Sequence, residues 1–200
     1  SASTKEALRL ANRFLRDGLL EHAIQEFQKA QESDPEIIET HERLAKAYLS
    51  VGKIKESLIE FNWLAGYYLD HSSIDLCITN LKEILSLDSD HLKAREQLAL
   101  AYLQQGNTRA SITERMILAN RYIASNQNAN AIKVFQDILS IDPNNVDARK
   151  KLLHIGESFF NKKELARENI LLCESYIKRQ APEKAIASFE RYLELYSEDI

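Results

Sequence analysis

Apolar residues recur along this chain at intervals of three and four positions, the spacing that places side chains on one face of an α-helix. The pattern itself repeats, because a step of 54 residues takes Leu44 to Leu98 and Leu152 without insertion or deletion. The same step joins Tyr68, Tyr122 and Tyr176, and also Leu64, Leu118 and Leu172. We therefore predict a partial unit at 1–34 and complete units at 35–88, 89–142 and 143–196.

Each complete unit has the apolar spacing of three helices. In the first complete unit the predicted helices cover about 36–50, 53–70 and 73–87. The partial unit has room for two helices. The expected total is eleven helices.

Glycine and proline mark the predicted helix ends. Glycines stand where helices should stop, because glycine adopts the left-handed conformation at little cost; these are Gly18, Gly52 and Gly106. The pairs Asp34-Pro35 and Asp142-Pro143 are predicted to start helices, since an Asp oxygen caps a free helical N–H and proline fits the first helical position. Pro182 is predicted to start the last helix in the same way.

Composition supports an all-α chain. Five Gly and three Pro in 200 residues are too few for many short strands joined by turns, and 44% apolar with 28% charged residues is typical of a folded domain. The net charge of −4 leaves no basic footprint for nucleic acid or an anionic membrane. No apolar run approaches the roughly 20 residues of a spanning helix, so no membrane insertion is expected. Two cysteines do not make a disulfide framework, which makes the cytoplasm the expected compartment.

The recurring positions resemble those of a known repeat. Residues 4–37 place Leu10, Ala11 and Phe14 in one predicted helix and Ala23 and Phe27 in the next. This arrangement resembles the tetratricopeptide repeat, a motif of 34 residues and two antiparallel helices with W-x₂-L-G-x₂-Y, A-x₃-F and a closing proline. Further copies overlap, so that one long helix serves two motifs. One overlapping copy consists of Leu118, Ala119, Tyr122, Ala131, Phe135, Ile138 and Pro143.

The last unit departs from the motif, since Leu153 and Gly156 stand where Ala and Tyr are expected. The resemblance implies an all-α, antiparallel helical-repeat solenoid that forms a single domain over 1–200. The chain begins without Met and within a unit, so we also expect a piece of a longer protein. Three helices per unit should make equivalent helices of adjacent units run in opposite directions, and we hypothesise that this interrupts the concave groove of ordinary arrays.

Catalytic motifs are missing from the sequence. It contains no GxGxxG, GxxxxGK[ST], HExxH or Cys-x₂-Cys pattern, so we predict a non-catalytic chain without cofactor or metal. Cys77 and Cys173 share the 54-residue step with alanines and are predicted to be buried packing residues.

The resemblance suggests a first candidate binding surface. Lys5, Arg9 and Asn12 fall on positions that face the groove in the family, where some members hold a peptide carboxylate with Lys, Arg and Asn. Glu39 and Glu42 occupy such positions in the second copy and would repel a carboxylate. A solvated charged face is the alternative that we favour for this stripe.

Trp63 and Tyr67 form a second candidate, one helical turn apart and not repeated in the other units. Position 67 becomes Arg121 and Ser175, which predicts an exposed Tyr67 that anchors a partner, as aromatic residues do at interface hot spots. Position 63 stays apolar throughout, so Trp63 is either a second anchor or a core residue.

These observations favour a scaffold that binds protein or peptide partners. The alternative is a regulatory or targeting module of a larger enzyme, such as a transferase. Self-association through exposed terminal repeats is a further expectation. Residues 35–88 carry five Lys or Arg against nine Asp or Glu, which makes the first complete unit the acidic one.

Overall fold

The computed structural model describes residues 2–197, and within that range it contains eleven α-helices and no β-strand. The all-α prediction and the helix count are therefore confirmed. The helices are α1 (Ala2–Arg16), α2 (Leu20–Ser33), α3 (Ile38–Ser50), α4 (Ile54–Asp70), α5 (Ile74–Leu87), α6 (Leu92–Gln104), α7 (Thr108–Ala124), α8 (Asn128–Ile141), α9 (Val146–Gly156), α10 (Lys162–Lys178) and α11 (Pro182–Ser197).

The helix bounds follow the repeat. Helices α6, α7 and α8 begin and end 54 residues after α3, α4 and α5, and α2 lies the same distance before α5. In the first complete unit each helix ends at the predicted residue and begins one or two residues later than predicted. The same spacing of apolar residues thus yields the same helices in successive units.

Left-handed residues end several helices. Gly18, Gly52 and Gly106 have φ of +75°, +74° and +81°, which confirms their predicted role. Where the 54-residue step takes Gly18 into other units, non-glycine residues accept the same conformation; Ser72, Asn126 and Gln180 have φ of +56°, +57° and +55°.

The two Asp-Pro pairs do not start helices, so that prediction was wrong. Asp34 is the C-terminal cap of α2, and α3 begins only at Ile38. Asp142 likewise caps the end of α8, while Asn145 caps α9 by accepting a hydrogen bond from the backbone N–H of Ala148 at 3.1 Å. The prolines lie in the connecting turns, where their carbonyl oxygens accept hydrogen bonds from side chains. Pro182 is the first residue of α11, as predicted.

The chain divides into two compact units, Ser1–Asn107 and Thr108–Ile200. They are called the first unit and the second unit below, whereas the 54-residue repeats keep the name complete units. Within each unit every helix packs against the next one along the chain, and connections of three to five residues make such neighbours antiparallel. The prediction of a single domain over 1–200 stays a prediction.

Helix α3 shares its side chains between two cores in the first unit. Leu44 and Tyr48 pack with α1 and α2, while Ala45 packs with α4, α5 and α6. A core of the second unit joins α9, α10 and α11 around Leu172 and Tyr176. Neighbouring helices therefore share their cores, as expected for a repeat in which no helix pair buries its apolar face alone. Cys77 and Cys173 are buried and unpaired, as predicted.

Candidate protein-interaction site

Four rings form a continuous stack in the first unit, here called the aromatic stack: His41, Trp63, Tyr67 and His71. The ring centroids of His41 and Trp63 are 3.5 Å apart, those of Trp63 and Tyr67 5.3 Å, and those of Tyr67 and His71 3.9 Å, with interplanar angles of 8°, 15° and 17°. Positions 63, 67 and 71 succeed one another by one helical turn on α4 and its C-terminal cap, which brings their rings into line. Helix α3 supplies His41.

The stack runs from the protein interior to the surface. His41 is buried, Trp63 and Tyr67 are half-buried, and His71 is exposed. Trp63 therefore packs on the core, and its role as a second anchor stays a prediction. Tyr67 was predicted to be exposed but is half-buried, because its ring also packs against that core. The Tyr67 ring is held on both sides by neighbouring rings and also meets Tyr68 edge-on, at 5.8 Å between centroids. Each ring of the stack is therefore in contact with at least one other ring.

A buried ion pair supports the base of the stack. The Nδ1 atom of His41 lies 2.5 Å from Oε2 of Glu60, and its Nε2 donates to the carbonyl oxygen of Pro35 at 2.8 Å. Gln31 donates from Nε2 to the same carboxylate at 3.2 Å. Burial by itself would lower the pKa of His41, but the hydrogen bonds to Glu60 and Pro35 and the charges of Glu60 and Glu36 outweigh it and hold the pKa above its ordinary value of 6.5.

A side chain that donates to the carbonyl oxygen of a connecting turn recurs at the equivalent positions of the other repeats, and the sequence analysis did not predict it. In the second unit Arg149 donates to Glu168 and to the carbonyl oxygen of Pro143. Arg95 donates to the carbonyl oxygen of Ser89 at 2.8 Å. The signal was present in the 54-residue step, which joins His41, Arg95 and Arg149 and also joins Glu60, Glu114 and Glu168. Only the first complete unit uses a group that titrates near neutral pH.

The first candidate surface predicted from the sequence, the stripe of Lys5, Arg9 and Asn12, lies on α1. Lys5 and Arg9 are exposed and Asn12 is half-buried. A cleft of about 270 Å³ is lined by Arg9 together with other residues of α1, and the set is Glu6, Arg9, Leu10, Arg13 and Arg16. The helix therefore brings Arg9 together with two other arginines, while Lys5 and Asn12 do not line the cleft. Their role in binding a carboxylate stays a prediction.

The carboxylate of Glu42 already has a partner. The hydroxyl of Tyr68 donates to Oε1 of Glu42 at 2.8 Å. Burial and this carboxylate raise the pKa of Tyr68 to about 12, so the hydroxyl stays protonated and keeps donating. Glu42 thus helps to join α3 and α4.

Across the described residues no group of three or more His, Cys, Asp and Glu side chains is arranged to hold a metal ion. Among the helices described, none combines the length and the apolar character needed to cross a bilayer.

Comparison with known proteins identifies part of the chain directly. Residues 116–145 match the family model described as tetratricopeptide repeat. This segment runs from within α7 through α8 to the cap of α9, and it contains the overlapping copy read from the sequence. None of the curated proteins matches the chain significantly.

Several solved structures align with most of the chain at low identity. A tetratricopeptide repeat protein from Parabacteroides merdae is 14% identical, with 98% of this chain and 94% of that chain covered and a TM-score of 0.32. MamA from Desulfovibrio magneticus RS-1 is 13% identical over 99% and 97% of the two chains, with a TM-score of 0.32. YrrB, a tetratricopeptide repeat protein described as having an unusual peptide-binding site, is 15% identical over 94% and 84%, with a TM-score of 0.28.

These distant likenesses carry no argument about partners. The family match falls where the sequence placed a motif, and five apolar motif positions of that segment are buried: Leu118, Ala119, Ala131, Phe135 and Ile138. Residues 116–145 therefore form a tetratricopeptide repeat, and helices α3 to α8 follow the same 54-residue step.

Proposed function

We propose that this chain is a non-catalytic scaffold that binds protein or peptide partners, and that the aromatic stack is a binding surface of its first unit. The observation that carries the proposal is the half-buried Trp63–Tyr67 pair, held in place by a ring on either side. Tyrosine and tryptophan offer a large contact area and one polar atom each, which is why they dominate interface hot spots.

Preorganisation makes the stack suited to binding. Tyr67 lies between Trp63 and His71, so little side-chain freedom remains to be lost when a partner docks. Ordering a mobile side chain at an interface costs about 0.5–1.5 kcal/mol, and this cost has been met by folding.

The charge around the stack favours a basic partner. Residues 35–88 hold nine acidic against five basic side chains. Opposite charges raise the rate of encounter, and at physiological salt they act over about 8 Å. We therefore expect peptides with an apolar or aromatic anchor beside Lys or Arg.

Selection from a random peptide library on the immobilised chain tests this proposal. Trp63 is the only tryptophan, so its fluorescence reports binding at the stack directly. We expect selected peptides to alter Trp63 emission, to carry net positive charge and to bind Tyr67→Ala about tenfold more weakly.

Phe159→Ala is the matched control, since it removes an exposed aromatic ring from the second unit. Selection of no peptide, or of peptides that bind Tyr67→Ala and the unchanged chain equally, would count against the stack as the binding surface.

A further inference from the structure

An apolar cleft of about 460 Å³ opens between α10 and α11 in the second unit. We call it the terminal groove; its lining residues are Ile170, Cys173, Glu174, Ile177, Pro182, Ala185, Ile186 and Phe189. Ile177 and Ile186 are 61% and 58% exposed, which is unusual for two branched apolar residues that line one cleft.

The 54-residue step identifies the residues of the preceding repeats that correspond to those of the groove. Ile186 corresponds to Ile78 and Ile132, which are 5% and 8% exposed. Phe189 is 42% exposed, whereas its counterparts Leu81 and Phe135 are completely buried. In those two places a further helix packs on the equivalent surface, α6 against α5 and α9 against α8. The terminal groove is thus the same helix-binding surface, continuous with the repeat interfaces, without its helix among the described residues.

The helices that fill the equivalent places define what fits. Each presents a small residue, a leucine and another apolar residue at positions i, i+4 and i+7. In α6 these are Ala94, Leu98 and Ala101, and in α9 they are Ala148, Leu152 and Ile155, all of them buried. Ala94 and Leu98 belong to one core with residues of the two supporting helices, α4 and α5.

Charge at the groove specifies the occupant further. The Lys151 ammonium of α9 donates to Asn120 of α7 at 2.9 Å, and the position of Asn120 is taken by Glu174 in the terminal groove. Gln105, the C-terminal cap of α6, donates to Asp75 of α5 at 2.6 Å, and the position of Asp75 is taken by Glu183. Glu174 on α10 and Glu183 on α11 therefore offer carboxylates at positions where the equivalent helices accept from a donor of the helix packed on them.

We propose that the terminal groove binds a basic amphipathic α-helix of a partner protein, with the small–Leu–apolar stripe at i, i+4 and i+7 and a lysine at i+3 that pairs with Glu174. The proposal rests on the partner-binding function proposed above but concerns a different surface from the aromatic stack. Variants of one surface therefore leave the other intact.

The probe is a capped synthetic peptide of residues 143–158, which contains the stripe and Lys151 of α9. Its fluorescence anisotropy is titrated with the full 200-residue chain. We expect saturable binding with one peptide per chain and at least tenfold weaker binding to Ile186→Asp. Ile186 is exposed, so this substitution leaves folding intact, which circular dichroism checks.

Ile59→Asp is the matched control, since Ile59 of α4 is 66% exposed and lies outside the groove. We expect it to bind the peptide as the unchanged chain does. Because Cys173 lies in the groove, bound peptide should also slow its alkylation severalfold.

A charge exchange tests the lysine. Glu174→Lys should weaken binding of the peptide about fivefold, and a peptide with Lys151→Glu should recover most of that loss on the Glu174→Lys chain.

Absence of binding, or equal binding to Ile186→Asp and the unchanged chain, overturns the proposal. Sedimentation at several concentrations provides a further check. A dimer of the unchanged chain that Ile186→Asp converts to monomer would show that a second copy occupies the groove, which also overturns it. Failure of either kind leaves the peptide selection at Tyr67 as a separate test of the scaffold function.

Discussion

His41 lies where the buried ion pair and the aromatic stack meet, with Glu60 at one ring nitrogen, the Pro35 carbonyl at the other and the Trp63 ring on its face. The equivalent residues of the other units are arginines, Arg95 and Arg149, so only this unit has a histidine here. Protonation of one histidine therefore affects both the stability of the first unit and the base of its proposed binding surface.

Stability should fall as the pH rises through the pKa of His41. The folded-state pKa lies above the ordinary value of 6.5, so the stabilisation by the charged pair is fully present below about pH 6.5 and is lost at higher pH. We expect the free energy of unfolding in urea to decrease from pH 6 to pH 9 in the unchanged chain.

His41→Arg is the matched variant because it installs the residue that the other units use, and it should remove this pH dependence. Glu60→Gln should lower the free energy of unfolding by about 1–3 kcal/mol at pH 6, since it leaves a buried donor poorly paired. An unchanged pH dependence in His41→Arg would contradict the assignment.

Trp63 emission should report the same proton. An imidazolium stacked 3.5 Å from the indole alters its excited state, so emission should change with pH, with a midpoint above 6.5. We expect His41→Gln to abolish this transition in a fluorescence titration and His71→Gln, which stacks on Tyr67 instead, to preserve it. If His71→Gln abolished the transition in Trp63 emission and His41→Gln preserved it, the assignment of the transition to His41 would be contradicted.

At the scale of the helix, the glycines of α4 and α9 differ in the space around them. A Cβ atom at Gly66 would meet nothing within 4 Å, whereas one at Gly156 would lie 2.5 Å from the Phe160 ring. Gly156 stands where the other units have Tyr48 and Tyr102, and here the Phe160 ring comes from the following turn and packs on the glycine. The departure from the motif in the last unit is thus accompanied by a local repacking.

Alanine at these two glycines should change stability in opposite directions. Gly66→Ala should raise the free energy of unfolding by about 0.5–1 kcal/mol, because alanine loses less backbone entropy in a helix. Gly156→Ala should lower it by about 1–2 kcal/mol, because the Phe160 ring must move. Urea unfolding measures both, and Phe160→Ala should remove most of the penalty at Gly156. If both substitutions changed the free energy of unfolding in the same direction, Phe160 would not restrict the residue at position 156.

At the scale of the whole chain, repeats gain stability from their neighbours, so a helix with one face uncovered opens more easily than its covered equivalent. Helices α8 and α11 form such a pair, since Phe135 is completely buried and Phe189 is 42% exposed at the same repeat position.

Amide hydrogen exchange should therefore be faster in residues 182–195 than in 128–141. Mass spectrometry of peptic peptides measures both segments in one experiment. Addition of the peptide of residues 143–158 should slow exchange in 182–195 and leave α4 unchanged. Equal protection of the two segments without peptide would mean that the exposed groove does not limit the stability of α11.

The helices, their ends and the step that relates them were predictable from the sequence because they depend on local spacing and on a few glycines, such as Gly52 and Gly106. The pairing of His41 with Glu60 is different, since the partners are 19 residues apart and meet only when α3 packs on α4. The sequence also misplaced the start of α3, because Asp34 caps the helix that precedes it.

Tertiary structure alone distinguishes residues that the sequence makes equivalent. Ile78, Ile132 and Ile186 share one repeat position, yet only Ile186 is exposed, since burial depends on whether another helix packs over it. The amino-acid order thus determined which faces are apolar, and the packing of helices decided which of those faces are buried in the described residues.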